Sequence, residues 1–261
     1  MLVQDPNAQP VNSYLKLCTE FYDIDKPEPP PDAFQFYLRH ARAAHGRVLE
    51  LMCGSGRFLA PLVAQGVLID GADASLHMLR ACERRCKARA LTTSLYQQLA
   101  HRLDLPHRYD LVIVPSGSFS LLIDANHARE CLRRLFEHLL PGGRVVMEVE
   151  QYTGQLTGSG PWGGRWVDRP DGARILCSWL SRFNAAERIS YGMGRYELIQ
   201  NGRLLDTELE EFNLRFYEQD EFRSMLDAAG FANVQAHKAY GPDLPDSVDE
   251  TLVFEAVRPA G

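Results

Sequence analysis

Short apolar segments alternate with amphipathic segments between residues 47 and 149. The apolar segments have the length of strands, whereas the segments between them repeat apolar residues every three or four positions, as helices do. Strands that alternate with helices form a parallel sheet, because each crossover helix packs back onto the sheet. The sequence therefore predicts an α/β core. We expect strands at 47–51, 67–73, 94–99, 110–115 and 144–149, and helices at 33–44, 58–65, 76–90 and 127–140.

The pattern changes after the fifth predicted strand. Residues 165–217 contain longer β-forming segments separated by turn signals. The strongest of these signals is Asn201-Gly202, a pair that favours a two-residue hairpin turn. We therefore predict an antiparallel sheet inserted into the core. A helix over 218–229, ended by Gly230, and strands at 234–239 and 251–258 then complete the main sheet.

Composition excludes several classes of protein. The chain has 28 Lys and Arg against 34 Asp and Glu, a net charge of −6, and no basic cluster, which argues against a nucleic-acid partner. No apolar run approaches the roughly 18 residues of a membrane span, and no secretory signal is visible at the start. The six cysteines show neither CxxC pairs nor zinc-ligand spacing. We expect a reduced, cytoplasmic protein without a metal or a membrane partner.

A glycine turn and two acidic residues suggest the ligand. Gly54-Ser-Gly56 lies between a predicted strand and a predicted helix, where glycines allow a ligand to approach the backbone closely. The dinucleotide-binding fingerprint Gly-x-Gly-x-x-Gly has a third glycine, but Leu59 occupies that position here, which argues against a dinucleotide ligand. Glu50 ends the first strand, where a carboxylate suits a cationic amino group, and Asp73 ends the second, where it suits ribose hydroxyls. Asp70 competes with Asp73 for that role. The pattern favours a nucleoside with a positively charged tail.

At these residues the sequence resembles the class I S-adenosylmethionine-dependent methyltransferases. The resemblance covers about residues 45–258 and is closest to small-molecule enzymes such as sugar N-methyltransferases and glycine N-methyltransferase. It implies a Rossmann-like, seven-stranded, mostly parallel sheet flanked by helices, with an inserted antiparallel β-sheet. The matching segments, in order, are Glu50–Gly56, Gly71–Ser75 with Met78-Leu79, Asp110–Pro115, Leu140–Gly143, Phe216–Phe222 and Ala229–Phe231.

The resemblance also implies a domain organisation. Residues 1–32 would form an N-terminal lid segment, in which Pro27, Pro29, Pro30 and Pro31 favour an irregular loop. The cofactor-binding core would comprise residues 33–150, and residues 151–217 would form the inserted substrate lid. Residues 218–261 would supply the last helix and the last two strands.

The same resemblance implies roles for individual residues. The methionine part of the cofactor would lie at Glu50, Cys53 and Gly54 with help from Arg57, the ribose at Asp73, and the adenine near Ala74, Met78 and Leu99. Pro115, Ser116 and Gly117 would lie below the sulfonium, and Tyr22 would be a lid tyrosine. The full predicted cofactor set is Glu50, Cys53, Gly54, Ser55, Gly56, Arg57, Asp73, Ala74, Met78, Gln98, Leu99, Pro115 and Ser116.

The sequence departs from the family pattern at three places. Met52 stands where the motif has its first glycine, and Gln98-Leu99 stands where an acid often binds the adenine amine. Pro-Ser-Gly-Ser118 replaces the Asn/Asp-Pro-Pro-Tyr/Phe motif, which argues against methylation of nucleic-acid adenine or glutamine amides.

We therefore expect in-line methyl transfer to a nitrogen or oxygen of a small metabolite. Positioning supplies most of the acceleration in such a reaction. An amine acceptor needs only to arrive deprotonated, whereas a hydroxyl acceptor would need a base. The absence of a His–Asp pair for that role favours an amine, or a base supplied by Tyr22 or Glu150. His77, His101 and His127 have no identifiable partner in the sequence. Two alternatives stay open, a nicotinamide-dependent oxidoreductase and a non-catalytic S-adenosylmethionine-binding protein. The acceptor is undetermined, and a homodimer formed through the sheet is also open.

Overall fold

The computed structural model describes residues 1–6, 11–155, 158–241 and 243–260. Within these ranges, eight strands form one mostly parallel sheet, and a second sheet is antiparallel. The strands, in chain order, are β1 (Leu2–Val3), β2 (Val48–Leu51), β3 (Ile69–Asp73), β4 (Leu95–Gln97), β5 (Tyr109–Val114), β6 (Leu139–Glu150), β7 (Gly163–Asp168), β8 (Arg174–Asn184), β9 (Ile189–Gln200), β10 (Arg203–Glu211), β11 (Leu214–Arg215), β12 (Ala232–Lys238) and β13 (Thr251–Val257).

The main sheet has the strand order β1-β4-β3-β2-β5-β6-β13-β12, in which only β13 runs antiparallel to its neighbours. Helices cover both faces of this sheet. The helices, in chain order, are α1 (Lys16–Asp25), α2 (Pro31–Ala43), α3 (Leu59–Ala64), α4 (Leu76–Ala88), α5 (Ala125–His138) and α6 (Gln219–Ala228). Two buried apolar clusters show the layering: one joins the sheet to α2, α3 and α4, and the other joins it to α5 and α6.

The α/β fold with an inserted antiparallel sheet is confirmed, but the main sheet has one strand more than predicted. Leu2–Val3 pairs in parallel with β4, with Leu2 opposite Leu95. Two residues carry too little periodic signal for a sequence-based prediction. The edge of the sheet therefore contains a segment that was expected to be irregular.

The N-terminal segment is also more regular than its prolines suggested. Helix α1 occupies Lys16–Asp25 and buries Leu17, Cys18 and Phe21. Pro31, which was expected to lie in the loop, is the first residue of α2, where the missing N–H of proline does no harm. The proline-rich irregular stretch therefore covers only residues 26–30, between α1 and α2.

The inserted sheet has the strand order β10-β9-β8-β7, with β11 added beside β9. The predicted hairpin at Asn201-Gly202 is confirmed, since both residues have the positive φ angles, 51° and 71°, that such a turn needs. One face of this sheet packs on α1 through Phe21, Ile175 and Cys177. The inserted sheet and the N-terminal helix thus share a small apolar core.

Helix α1 begins without a side-chain cap of its own. The Glu210 carboxylate on β10 instead accepts hydrogen bonds from the backbone N–H groups of Tyr14 (2.8 Å) and Leu15 (2.7 Å). Glu208 accepts one from Leu17 at 2.6 Å. Carboxylates at a helix N-terminus satisfy free N–H groups and favour the helix dipole. Two carboxylates of the inserted sheet therefore cap the helix.

No helix in the described part of the chain is both long enough and apolar enough to cross a membrane. All six cysteines are free and buried.

Candidate cofactor and acceptor site

A cavity of about 280 Å³ lies where the carboxyl ends of the central parallel strands meet. Glu50 lies within β2, Asp73 ends β3, Leu99 follows β4 and Pro115 follows β5, and all four line this cavity. Ligands of open α/β sheets bind at this edge, where the crossover connections leave a crevice. We call this space the cofactor cavity.

Glu50 is a buried carboxylate with an unused oxygen. Its side chain is 2% exposed, and Oε2 has no hydrogen-bond partner. Burial raises the pKa of Glu50 well above its ordinary value, and the nearby Arg57 guanidinium opposes this shift. An unpaired polar atom in a protein interior costs free energy unless a ligand satisfies it. The orphaned oxygen, which borders the cavity, is therefore suited to a cationic donor.

The glycine turn after β2 places Asp73 at the cavity. The Gly54 N–H donates to Asp73 Oδ2 and the Ser75 N–H to Oδ1, both at 2.8 Å. Each carboxylate oxygen can accept a further hydrogen bond. Asp70, the competing candidate, instead bonds to Arg47 (2.9 Å) and Tyr109 (3.2 Å) and does not line the cavity. The structure therefore places Asp73, not Asp70, at the position expected for a ribose contact.

The turn uses positive φ at both glycines and at Met52, where φ is 57°. Met52 thus adopts the backbone conformation of the glycine that it replaces in the motif. Gly56 (φ 77°) is needed for a second reason, since a Cβ atom there would lie 2.4 Å from Cys82 Sγ on α4. Gly56 therefore allows the turn to pack closely on α4.

Most of the predicted cofactor residues line the cavity. Ser55 and Gly56 do not line it; Ser55 is buried, and Gly56 packs against Cys82 on α4. Gln98 borders the cavity, but its side-chain amide exchanges two hydrogen bonds with the Asp104 backbone, at 2.9 and 2.7 Å. The predicted residues that line the cavity are Glu50, Cys53, Gly54, Arg57, Asp73, Ala74, Met78, Gln98, Leu99, Pro115 and Ser116, together with Tyr22.

Two histidines without an apparent partner in the sequence meet at this cavity. The rings of His101 and His127 stack with their centroids 3.8 Å apart and their planes within 6°. Burial, and the neighbouring His127, lower the pKa of His101. The two residues belong to different elements, so no local sequence signal could have brought them together.

Two further cavities adjoin the first one. A cavity of about 410 Å³, which we call the aromatic chamber, lies between α1 and the inserted sheet and shares Tyr14 and Tyr22 with the cofactor cavity. The other, which we call the acidic chamber, is lined by Glu148 and Glu150 and shares Arg57 and Ser116 with the cofactor cavity. The three spaces therefore converge beside Tyr22 and Arg57.

Arg57 contacts residues on several sides of this junction. Its guanidinium lies 5.4 Å from the centre of the Tyr22 ring and 5.5 Å from that of Phe58, and Nη2 donates to Ser116 Oγ at 2.7 Å. Burial raises the pKa of Tyr22, although the positive charge of Arg57 partly opposes the shift. The Tyr22 phenol therefore stays protonated at neutral pH and can donate a hydrogen bond.

The two carboxylates of the acidic chamber differ in their surroundings. Glu148 is 2% exposed and accepts hydrogen bonds from the hydroxyls of Tyr37 (2.6 Å) and Tyr240 (3.2 Å). Burial, together with the charges of Glu148 and Glu250, raises the pKa of Glu150 to about 7. Gly117 has a φ of 64°, and a Cβ atom there would lie 2.4 Å from Glu150 Oε1, so the backbone conformation and the present position of this carboxylate both favour glycine. Glu150 can therefore exchange a proton near neutral pH.

Comparisons with known proteins agree with this architecture. The family model described as a methyltransferase domain matches residues 48–143. Two curated bacterial relatives have names that give methyltransferase as a provisional assignment. A Geobacillus protein is 27% identical over 134 residues, 49% of this chain and 54% of its own, so the chain spans about half the length of that relative. YqeM of Bacillus subtilis is 22% identical over 237 residues, 91% of this chain and 94% of its own.

Among solved structures, the sugar N-methyltransferase KedS8 from Streptoalloteichus has a similar fold, with a TM-score of 0.74. It is 20% identical to this chain, and the match covers 98% of both chains. Residues 48–143 thus match a methyltransferase domain, and the relatives and the shared fold agree with the resemblance to class I S-adenosylmethionine-dependent methyltransferases that the sequence shows. The methyltransferase-domain match, together with the similar fold of S-adenosylmethionine-bound CalS10 from Micromonospora echinaspora (19% identity, TM-score 0.68, 96% of this chain and 100% of that one), supports S-adenosylmethionine as the cofactor and does not support the alternative of a nicotinamide-dependent oxidoreductase.

Proposed function

We propose that the protein transfers the methyl group of S-adenosylmethionine to the nitrogen of a small amine. The main support is Glu150, a largely buried carboxylate whose pKa is raised to about 7, in a chamber that joins the cofactor cavity at Arg57 and Ser116. An alkylammonium must lose a proton before its nitrogen can attack. A base that titrates near neutral pH is matched to that step.

The cofactor cavity contains groups that suit each part of S-adenosylmethionine. Glu50 would accept hydrogen bonds from the ammonium group, and Asp73 would accept them from the ribose hydroxyls. Met78 and Leu99 would pack on the adenine. When bound, the cofactor supplies an electrophilic methyl carbon on a sulfonium, and its sulfur leaves as a neutral thioether. The leaving group therefore needs no proton from the protein.

Glu150 would take the proton of the acceptor nitrogen, and the neutral nitrogen would then use its lone pair for the new N–C bond. Tyr22 is the less suitable base, because its raised pKa keeps the phenol protonated. It would instead donate a hydrogen bond where the three cavities meet. Of the two catalytic candidates, Glu150 is thus proposed as the base and Tyr22 as a hydrogen-bond donor that orients the acceptor.

We further propose that residues 1–32 and 151–217 act together as a cover over the core formed by 33–150 and 218–261. The carboxylates of Glu208 and Glu210 connect the two covering parts through backbone N–H groups. The Tyr14 carbonyl also accepts a hydrogen bond from Ser75 Oγ at 2.6 Å, which connects the cover to the core. Exclusion of water from the junction would follow from this arrangement.

A homodimer through the inserted sheet is part of this proposal. The face of that sheet turned away from α1 exposes large apolar side chains, among them Trp166 (57%), Met193 (59%) and Leu209 (63%). Extended apolar surface of this kind marks interaction sites. Sedimentation velocity at several protein concentrations tests it, and a monomer throughout would contradict it.

Calorimetric titration with S-adenosylhomocysteine, with NAD as the comparison, tests cofactor binding first. Turnover is then measured on a panel of amines that includes arylalkylamines, amino sugars and nucleoside-diphosphate amino sugars. Binding of S-adenosylhomocysteine without turnover of any amine would favour the non-catalytic binding protein instead.

The accepted amine then tests the base. With wild-type protein, kcat should rise with pH and level off above an apparent pKa of about 7. Glu150→Gln should lower kcat about 100-fold for an alkylamine and remove that pKa, since general bases contribute about 10²–10⁴-fold. An arylamine is neutral at pH 7 and serves as the control, because its rate should change little. Equal losses for both amines would exclude Glu150 as the base.

A further inference from the structure

We infer that the amine acceptor has a flat apolar ring system that binds in the aromatic chamber, and that it is not a nucleoside-diphosphate sugar. The inference deepens the proposed function and rests on it, because it concerns the acceptor of the same reaction. The chamber shares Tyr14 and Tyr22 with the cofactor cavity, so a ring held in it can present an amine at the junction.

Aromatic side chains from both covering parts form the walls of the chamber. Ring faces and edges of this kind bind apolar ring systems well. The aromatic lining residues are Tyr14, Phe21, Tyr22, Trp179, Tyr196 and Phe212.

Apart from the charged residues Asp25, Lys26 and Arg165, of which Lys26 lies 5.7 Å from the Tyr22 ring centre, the chamber offers few free polar groups. The Tyr196 hydroxyl is hydrogen-bonded with the thiols of Cys18 and Cys177. The remaining side-chain hydroxyls, apart from those of Tyr14 and Tyr22, belong to Ser181 and Ser190. Each sugar hydroxyl buried without a partner would cost about 1–3 kcal/mol. The lining therefore favours an apolar ligand over a polyhydroxylated one.

A glycine creates a slot in the floor of the chamber. Gly194 on β9 lies opposite Trp179 on β8. The Trp179 ring covers Gly163 on the other side, since a Cβ atom at Gly163 would lie 2.5 Å from it. A Cβ atom at Gly194 would meet only Tyr196, at 3.4 Å. The space above Gly194 is thus left open between two aromatic side chains, which is a suitable place for a planar ring.

Charge at the rim also argues against a diphosphate. Arg165 forms an ion pair with Asp25 at 2.6 Å, and its guanidinium lies 5.5 Å from the Phe21 ring centre and 5.9 Å from that of Trp179. That cation is therefore already neutralised. The adjoining acidic chamber contains four carboxylates, of which Asp25 is paired with Arg165 and Glu28 with Arg89, so that Glu148 and Glu150 remain beside the two cations Lys26 and Arg57. The chamber therefore offers a diphosphate no net positive charge, whereas its two carboxylates can accept hydrogen bonds from a protonated amine.

The test measures binding to protein saturated with S-adenosylhomocysteine, which needs no turnover. Phenethylamine and UDP-glucosamine are titrated calorimetrically into wild type, Gly194→Leu and Arg195→Leu. The leucine at 194 fills the slot, whereas the leucine at 195 adds similar apolar bulk to the opposite face of the same strand, where Arg195 forms an exposed ion pair with Glu197.

We expect wild type to bind phenethylamine and not UDP-glucosamine. Gly194→Leu should weaken phenethylamine binding more than tenfold, and Arg195→Leu should change it less than twofold. Affinity for S-adenosylhomocysteine should be unchanged in both variants, which verifies that they fold. If Gly194→Leu lowers that affinity, Gly194→Ala replaces it, with a smaller loss of phenethylamine binding expected.

Two results would overturn the inference: UDP-glucosamine binding at least as tightly as phenethylamine, or phenethylamine binding that is insensitive to substitution at Gly194. The proposed function fails separately. Phenethylamine that binds but is never methylated would contradict the reaction and leave the ligand class intact. Methylation of UDP-glucosamine would support N-methylation and refute the ligand class.

Discussion

Replacing Glu50 by glutamine should stabilise the cofactor-free protein and weaken cofactor binding at the same time. The carboxylate is 2% exposed with one oxygen unpaired, so the free protein bears the desolvation of a group that has no partner. Glutamine removes the buried negative charge, whose desolvation costs more than that of the neutral amide that replaces it; a difference of about 1–3 kcal/mol at neutral pH is expected, and each kcal/mol shifts Tm by about 2–4 °C for a chain of this size. Loss of a charge-assisted hydrogen bond to an ammonium costs about 1.5–3 kcal/mol, or about 10- to 150-fold in Kd.

The raised pKa of Glu50 also predicts how the free energy of unfolding changes with pH. Because burial raises the pKa of Glu50 above its unfolded value near 4.5, the folded state binds the proton more tightly than the unfolded state does. The free energy of unfolding therefore falls as pH rises above that value, and this contribution should vanish in Glu50→Gln. Scanning calorimetry between pH 4.5 and neutral, and titration with S-adenosylhomocysteine, measure the two effects.

Glu148→Gln is the matched control. Glu148 is equally buried on the same sheet, but its oxygens accept hydrogen bonds from Tyr37 and Tyr240, and it lies outside the cofactor cavity. The control should lower Tm and leave the affinity for S-adenosylhomocysteine within about twofold of wild type. If both substitutions lower Tm equally, or if Glu50→Gln binds S-adenosylhomocysteine as tightly as wild type, the role assigned to the unpaired oxygen is refuted.

Three further predictions concern the turn, the ribose contact and the cap of α1. Gly56→Ala should destabilise the fold by about 1–3 kcal/mol in urea denaturation, and Cys82→Ala should restore part of this loss, because it removes the sulfur that the new methyl group would meet; simple additivity of the two changes would contradict the contact. Asp73→Ala should weaken S-adenosylhomocysteine binding more than tenfold, whereas Asp70→Ala should lower Tm and change that affinity less than twofold; calorimetry decides, and similar losses of affinity would put the ribose assignment in error. Glu210→Gln should speed hydrogen exchange in the first turn of α1, because a charge-assisted cap becomes a neutral one; unchanged exchange would show that the cap does not hold the helix.

The core could be predicted because its signals are local. Each strand of the parallel sheet is a short apolar run, and each helix between the strands has its own apolar stripe. Helix α1 was missed because its stabilisation is remote: its apolar residues pack on Ile175 and Cys177, and its caps come from Glu208 and Glu210. Strand β1 was missed because two residues form no pattern.

At the site, the sequence predicted the residues that chain order places at strand ends, such as Glu50 and Asp73. It could not predict the convergence of three cavities, since this depends on how the inserted sheet lies against α1. Ser55 and Gly56 belong to the motif but not to the cavity lining, because Ser55 is buried and Gly56 packs on α4. The stacking of His101 and His127 could not be predicted either, because tertiary packing brings these two distant residues together.

The capping of α1 by Glu208 and Glu210 has a consequence for exchanging parts between related enzymes. The free N–H groups at the start of α1 are capped by carboxylates on a strand that lies far away in the chain. A chimera that receives the inserted sheet of a relative without the matching N-terminal helix would lose those caps, together with one wall of the aromatic chamber. The two segments therefore constitute one transplantable module, although they are far apart in the sequence, and acceptor preference should transfer between relatives only when both are moved together.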